Sequence, residues 1–310
     1  MSSPQRPAHT ATLGGILACF IWGGSISVMG ILAIRLGSLK ACGYECLIAG
    51  LVLFAVSLSK GTVRQMLTHG WRYYLVCGGF WISNFALAWV AVGLVTQGEQ
   101  LVIVGMFNYL WPILTLLCSI PVLGYVPGVL IIPGVMVTIV GLLLSKAVLI
   151  DMPLVEASAK ILSLFDDNLP AYLCAALDAV AWALYSNLSR RMAKPNRAGA
   201  VPLFMLAAAV LLLTAGEIQG ETSYWSLFVV LLLTGWSLLS AIAYVAWDYG
   251  MRQGSVVLIS AFSMLIPLLS TVITCLVNGV TITSGLLAAS ACLVAGAWLC
   301  RKGIRERLSV

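Results

Sequence analysis

Apolar and polar positions alternate along this chain on the scale of whole helices. Runs of roughly 18–25 apolar residues, the length that crosses the hydrocarbon of a bilayer, fall near 11–34, 42–59, 73–95, 100–121 and 128–146. A second set falls near 170–190, 200–216, 224–249, 254–277 and 283–300. The longest polar stretch, Lys146 to Asn168, separates the sets. Within it, 153–165 has apolar residues at helical spacing, which suits a segment lying along the membrane surface. The pattern predicts an all-α membrane protein with ten spans in two groups of five: 1–147, a polar linker over 148–169, and 170–310.

The two groups read as copies. NYLWPILTLLCSIPVLG (108–124) and SMLIPLLSTVITCLVNG (263–279) align with a shift of 155, which lays Pro267 on Pro112 and Gly279 on Gly124. Gly296 falls on Gly141 with the same shift, Gln253-Gly254 on Gln97-Gly98 with a shift of 156, and Trp182 on Trp22 with a shift of 160. Five spans per copy is odd, so the second copy enters the membrane from the opposite side. Inverted repeats of this kind exchange conformations to open a central site to either face. Pro112 and Pro267 remove a backbone donor near mid-span, so both helices are expected to kink there and serve as hinges.

Charge adds orientation. With the N-terminus inside, 13 of the 17 Lys and Arg residues fall in inward segments, and only Arg35, Lys40, Lys146 and Lys160 face outward. A split this lopsided predicts ten spans with both termini cytoplasmic. The net charge of +6 is scattered through short loops, which argues against a nucleic-acid surface. The polar first dozen residues precede a run too long for a signal sequence, so the first run reads as a true span. The nine cysteines fall mostly in apolar runs, where cysteine behaves as a small hydrophobe. Neither they nor the two histidines, His9 and His69 in inward segments, form a metal or catalytic motif. No cofactor and no enzymatic activity is expected.

What remains is polar and aromatic chemistry at bilayer depth, where unpaired polar groups are costly. Asp178, Trp182 and Tyr185 stand at i, i+4 and i+7 on one face of the sixth span. Asp178 either meets a substrate ammonium, titrates during transport, or is an internally bonded structural acid. Asn84 sits mid-way along the third span, Asn108 and Tyr109 in the fourth, and Ser260 and Ser263 share a face of the ninth. These bind a solute or hold helices together. Tyr244 and Asp248 lie near the inner end of the eighth span, with Asp248 four residues before Arg252, which suits a local ion pair or gate. Trp71, Trp225 and Trp236 read as interfacial or lipid-facing. The pairs Gly14-Gly15, Gly23-Gly24 and Gly78-Gly79 read first as close-packing points and second as hinges.

Ten spans, the five-plus-five inverted duplication, FIWGGS in the first span and a Gln-Gly turn before each proline-bearing helix resemble the drug/metabolite transporter superfamily, in its EamA-type exporter branch. That resemblance implies a multi-pass carrier of the bacterial inner membrane that moves amino acids outward through a central cavity. It also implies that the third, fourth, eighth and ninth helices and their mates line the path. Carried over by position, Asn84, Tyr109, Trp182, Tyr185 and Ser260 become pocket residues. The expected solutes are aromatic and other neutral amino acids (phenylalanine, tryptophan, tyrosine, threonine, methionine). The alternatives are a multidrug or other metabolite carrier on the same scaffold and, in another class, a membrane ligand receptor.

Overall fold

The computed structural model describes residues 5–149, 151–160, 163–194 and 197–305, without the side chains of 5–8, 164, 257, 261 and 305. Arg307, counted above among the inward charges, and part of the 153–165 surface segment lie outside the described residues.

The first apolar run is broken in two: α1 (Gln5–Trp22) and α2 (Ser25–Leu36) meet at Gly23-Gly24 with a bend of 50°. A long helix, α3 (Ser38–Ser59), follows, then a short α4 (Val63–Met66) and a second long helix, α5 (Trp71–Gly93). The fourth run forms α6 (Gly98–Asn108) and α7 (Trp111–Leu123), and α8 (Ile131–Leu149) ends the first set. The linker holds α9 (Leu154–Ala159) and a 3-10 turn, Ser163–Asn168. The second set comprises α10 (Leu169–Met192), α11 (Val201–Ile218), α12 (Leu227–Gln253), the pair α13 (Val256–Ser263) and α14 (Ile266–Asn278), and α15 (Ser284–Lys302). Two-residue strands β1 (Val126–Pro127) and β2 (Ile304–Arg305) pair antiparallel beside the last helix.

Among the described residues, eight helical spans are long and apolar enough to cross a membrane, or nine if the bent α1–α2 pair is one span. The ten expected runs therefore all occur as helices, but the ninth falls short of a single span. It is split into an 8-residue and a 13-residue helix by a break at Met264-Leu265.

The prolines act differently from the mid-helix kinks expected. Pro112 and Pro267 each occupy the second position of a new helix, α7 and α14, after a break at Tyr109-Leu110 or Met264-Leu265. There the missing N–H costs nothing, because the first turn of a helix has no intrahelical acceptor for it. Both second helices run 13 residues and end on a left-handed glycine, Gly124 (φ 73°) or Gly279 (φ 68°), the conformation that lets the last carbonyls be capped. A bend of 50° falls at Gly23-Gly24, read above first as a packing point and second as a hinge, and the pair serves both ends: an added Cβ at Gly23 would lie 2.8 Å from Leu269 Cδ2. A Cβ on Gly24 would meet nothing within 4 Å, so no close neighbour requires its glycine.

Four helix pairs dominate the packing: α1 with α12, α5 with α10, α3 with α11 and α8 with α15. The α8–α15 seam is built on small residues. An added Cβ at Gly141 would lie 2.9 Å from Ala289 O, and one at Gly296 would lie 2.6 Å from Gly134 O. Gly141→Leu should push α15 away and cost about 1–3 kcal/mol, as overpacking does. A lower melting midpoint of the detergent-purified variant is the expected result; an unchanged midpoint would show that the seam tolerates bulk.

Candidate functional site

Two helix breaks face each other at the centre of the molecule. The α1 break leaves Trp22 O without a helical partner, and Tyr109, at the α6 break, donates its hydroxyl to it at 2.9 Å. Ser25 Oγ, at the start of α2, lies 3.1 Å from the same hydroxyl. Around this junction is a cavity of about 550 Å³, counting its open mouth.

Aromatic residues make up half of its lining. Trp22 packs edge-to-face on Trp182 at 5.2 Å and 90°, so the two tryptophans aligned above at a shift of 160 touch. Trp111 and Tyr244 close around the same ring at 6.1 and 5.0 Å. Phe85, Trp89 and Trp236 extend the lining. Such ring clusters present both π faces and polarised edges to a solute.

One polar cluster is built by three helices. Asp178 on α10 is fully buried, and the amide Nδ2 of Asn84 (α5) donates to its Oδ1 while that of Asn108 (α6) donates to its Oδ2. Each carboxylate oxygen is thus held by an amide from a different helix. That satisfies a charge-bearing group at a depth where no water is guaranteed. Asn84, Asn108, Tyr109, Asp178 and Trp182, singled out from the sequence, all line one cavity.

Other assignments change. Tyr244, read as a gate residue at the inner end, lines the cavity beside Trp22 and Phe85. Tyr185 does not: its hydroxyl donates to Asp248 Oδ1 at 3.0 Å. Seven residues span about 10 Å of helix axis, which carries Tyr185 past the layer of Asp178 and into the next one. Ser260 and Ser263 are buried outside the lining; Ser263 Oγ donates back to Ser260 O at 2.8 Å, and Ser260 Oγ has no partner among the described residues. Trp236 is 7% exposed and faces the cavity rather than lipid. It sits nine residues into the 27-residue α12, about 14 Å along the axis and far from either headgroup region. Glu45 on α3, absent from the sequence-based candidates, lines the cavity at 2% exposure.

Charged clusters flank the cavity along the helices. Arg252 Nε and Nη2 both reach Asp248 Oδ2 at 2.8 Å, and Arg252 Nη1 donates to Arg197 O at 2.7 Å. Elsewhere Lys146 Nζ meets Asp167 at 2.8 Å, and Glu221 caps α3 by accepting from Leu39 N and Lys40 N at 3.0 and 2.8 Å. Lys40 and Lys146, expected in loops, lie inside helices and are buried against Glu217 and Asp167. A carboxylate at a helix N-terminus also complements the exposed N–H groups there.

His69, expected to be solvated, is 6% exposed and joins the α4–α5 loop to the α10–α11 loop. Its Nδ1 accepts from Lys194 N at 3.1 Å, so Nε2 carries the proton shared with Ala198 O at 2.9 Å. Burial holds this imidazole below its ordinary value; the Ala198 bond and Asp248 pull upward, while Arg252 and Lys194 push further down. A depressed folded-state value means the neutral form is the folded one. The tie is complete above the ordinary imidazole value, about 6.5, and is lost as pH falls through the lower folded value. Protection factors of the amides at 193–194 and 197–200, with intrinsic exchange divided out, should therefore fall on acidification below about pH 6.5, and His69→Gln should abolish that pH step. Protection factors that are flat with pH in the unaltered protein would contradict the assignment.

These features place the chain among known proteins. Residues 9–146 match the model of the EamA-like transporter family. The aromatic amino acid exporter YddG of Ancylobacter novellus is 31% identical over 297 residues, covering 93% of this chain and 95% of that protein. The chain belongs to the EamA-like transporter family. Two further relatives carry the same name. The YddG of Salmonella typhimurium is 25% identical over 97% of this chain and 99% of its own, and that of Escherichia coli is 24% identical over 94% and 96%. A solved crystal structure, 26% identical, superimposes with a TM-score of 0.67 over 94% of this chain and 97% of that one. This EamA-family chain is thus a multi-pass membrane protein related to exporters over nearly its whole length.

Proposed function

We propose that the chain is a secondary exporter of aromatic and other neutral amino acids, working by alternating access across the bacterial inner membrane. The observation that carries the reading is the cavity. Aromatic rings centred on Trp22 and Trp182 suit an indole or phenyl side chain, and the Asp178–Asn84–Asn108 cluster and Glu45 offer polar partners for the amino-acid backbone. The relatives named as aromatic amino acid exporters support it.

In this reading the ten helical runs are two inverted halves, 1–147 and 170–310, with 148–169 as linker. The packing supports that symmetry. Exchanging the halves turns the α1–α12 pair into the α10–α5 pair, and leaves α3–α11 and α8–α15 as pairs of mates. The breaks before Pro112 and Pro267 act as hinges, and Asp248 with Arg252 acts as a gate. Both termini face the cytoplasm, in keeping with the distribution of basic residues.

Growth of a sensitised bacterium expressing the protein tests the substrate class. Protection against toxic aromatic amino-acid analogues, without protection against cationic drugs, is the expected result. Protection against the drugs alone would replace this reading with a multidrug carrier.

A further inference from the structure

Two carboxylates line the cavity, and among its described lining residues none is basic. A zwitterionic amino acid brings one ammonium and one carboxylate, so the lining is built to neutralise the ammonium. The two acids are not equivalent in this respect. Asp178 already holds an amide N–H on each oxygen, from Asn84 and Asn108, and ties α5, α6 and α10 together. An ammonium arriving there has to share or displace both amides.

Among the described residues Glu45 has neither an amide nor a basic partner. The O–H of Ser240 and the N–H groups of Trp236 and Trp89 turn toward its carboxylate, and those of Ser240 and Trp236 do not close a hydrogen bond with it or with another described residue. An indole N–H can only donate, so Trp236 orients the Glu45 carboxylate, whereas Ser240 Oγ has lone pairs open to accept from an ammonium seated on Glu45. Glu45, Asp178 and Tyr244 line the same cavity, so the two acids border one space. Aromatic faces beside a carboxylate form the standard surroundings for an organic ammonium.

We propose that Glu45 is the ammonium-binding residue that sets substrate specificity, while Asp178 holds the three helices around the cavity. This deepens the amino-acid reading given above and rests on it for the identity of the solute. A charge-assisted contact formed away from water makes an amino group on the solute a requirement of this proposal. The carboxylate of the solute then contributes less to binding than the ammonium does.

The test is competition binding on the purified full chain with radiolabelled phenylalanine and, separately, radiolabelled phenethylamine. For the unaltered protein, phenethylamine should compete within about tenfold of phenylalanine, and 3-phenylpropionate should be at least about 100-fold weaker. Glu45→Gln should weaken both phenylalanine and phenethylamine about tenfold or more, with no loss for 3-phenylpropionate. Phenylalanine affinity unchanged in Glu45→Gln overturns the proposal and leaves the amino-acid reading standing. Phenethylamine bound in a Glu45-dependent way without any phenylalanine binding keeps Glu45 and removes the amino-acid reading. No binding of either ligand removes both. If Glu45→Gln fails to run as a single species in detergent, the ligand series on the unaltered protein decides: 3-phenylpropionate competing as well as phenylalanine overturns the assignment.

Discussion

Trp182→Ala should abolish most export of phenylalanine and tryptophan, with a loss of at least about tenfold in rate, while the protein still reaches the membrane. The argument is geometric. Trp182 touches Trp22, Trp111, Tyr185, Tyr244 and Trp247, so its removal opens a hole in the cavity wall and frees the Trp22 ring from its edge-to-face partner. Truncating a buried aromatic costs about 3–5 kcal/mol, which threatens stability as well as binding. Trp182→Phe separates the two effects, because it keeps a ring in the wall and loses less packing. Export should then recover substantially. Transport assays normalised to membrane-inserted protein provide the check, and normal export by the alanine variant would remove Trp182 from the pocket.

The second large effect is expected at Asp178. Asp178→Ala leaves the Nδ2 of Asn108 facing a void with no acceptor and leaves that of Asn84 only the long 3.4 Å contact to the residue 178 carbonyl. A buried donor without a partner costs about 1–3 kcal/mol each, so this variant should be poorly stable and inactive. Asp178→Asn keeps one carbonyl acceptor and the shape, and should retain the fold with weakened coupling among α5, α6 and α10. Thermal midpoints in detergent should rank the unaltered protein above Asp178→Asn and both above Asp178→Ala. An alanine variant as stable as the unaltered protein would show that the cluster holds nothing together.

Much of the scaffold could be read before any coordinates. Each of the ten apolar runs is a helix or a pair of helices, because runs of that length in a chain with 9% charged residues have little alternative. The two proline-bearing copies both break just before the proline, and the break position follows from proline's preference for a helix's first turn. The Gly23-Gly24 bend was less legible, since paired glycines serve close packing and bending equally well. Glu45 escaped notice because an acid eighth in α3 resembles a residue near a membrane interface. Only the fold shows that it turns inward to Trp89, Trp236 and Ser240.

The site itself was half legible. Asp178 and Trp182 were identified by sharing a helix face, and the fold adds that Asn84 and Asn108 converge on the same carboxylate. Face-sharing misled at Tyr185, which lies on the correct side of α10 but at the depth of Asp248. The duplication also runs out at the chemistry. The shift of 160 that pairs Trp182 with Trp22 lays Asp178 on Ala18 and Glu45 on Met205, so the two proposed halves differ in what they present to the solute. In the proposed carrier, a symmetric scaffold with an asymmetric lining opens to either face around one fixed set of contacts.

Counterflow puts the whole account to its most direct test. Liposomes holding the purified protein and loaded with unlabelled phenylalanine, then diluted into a trace of labelled phenylalanine, should accumulate label transiently above equilibrium, with tryptophan outside competing. Label that never exceeds the level in protein-free liposomes would contradict the carrier described here.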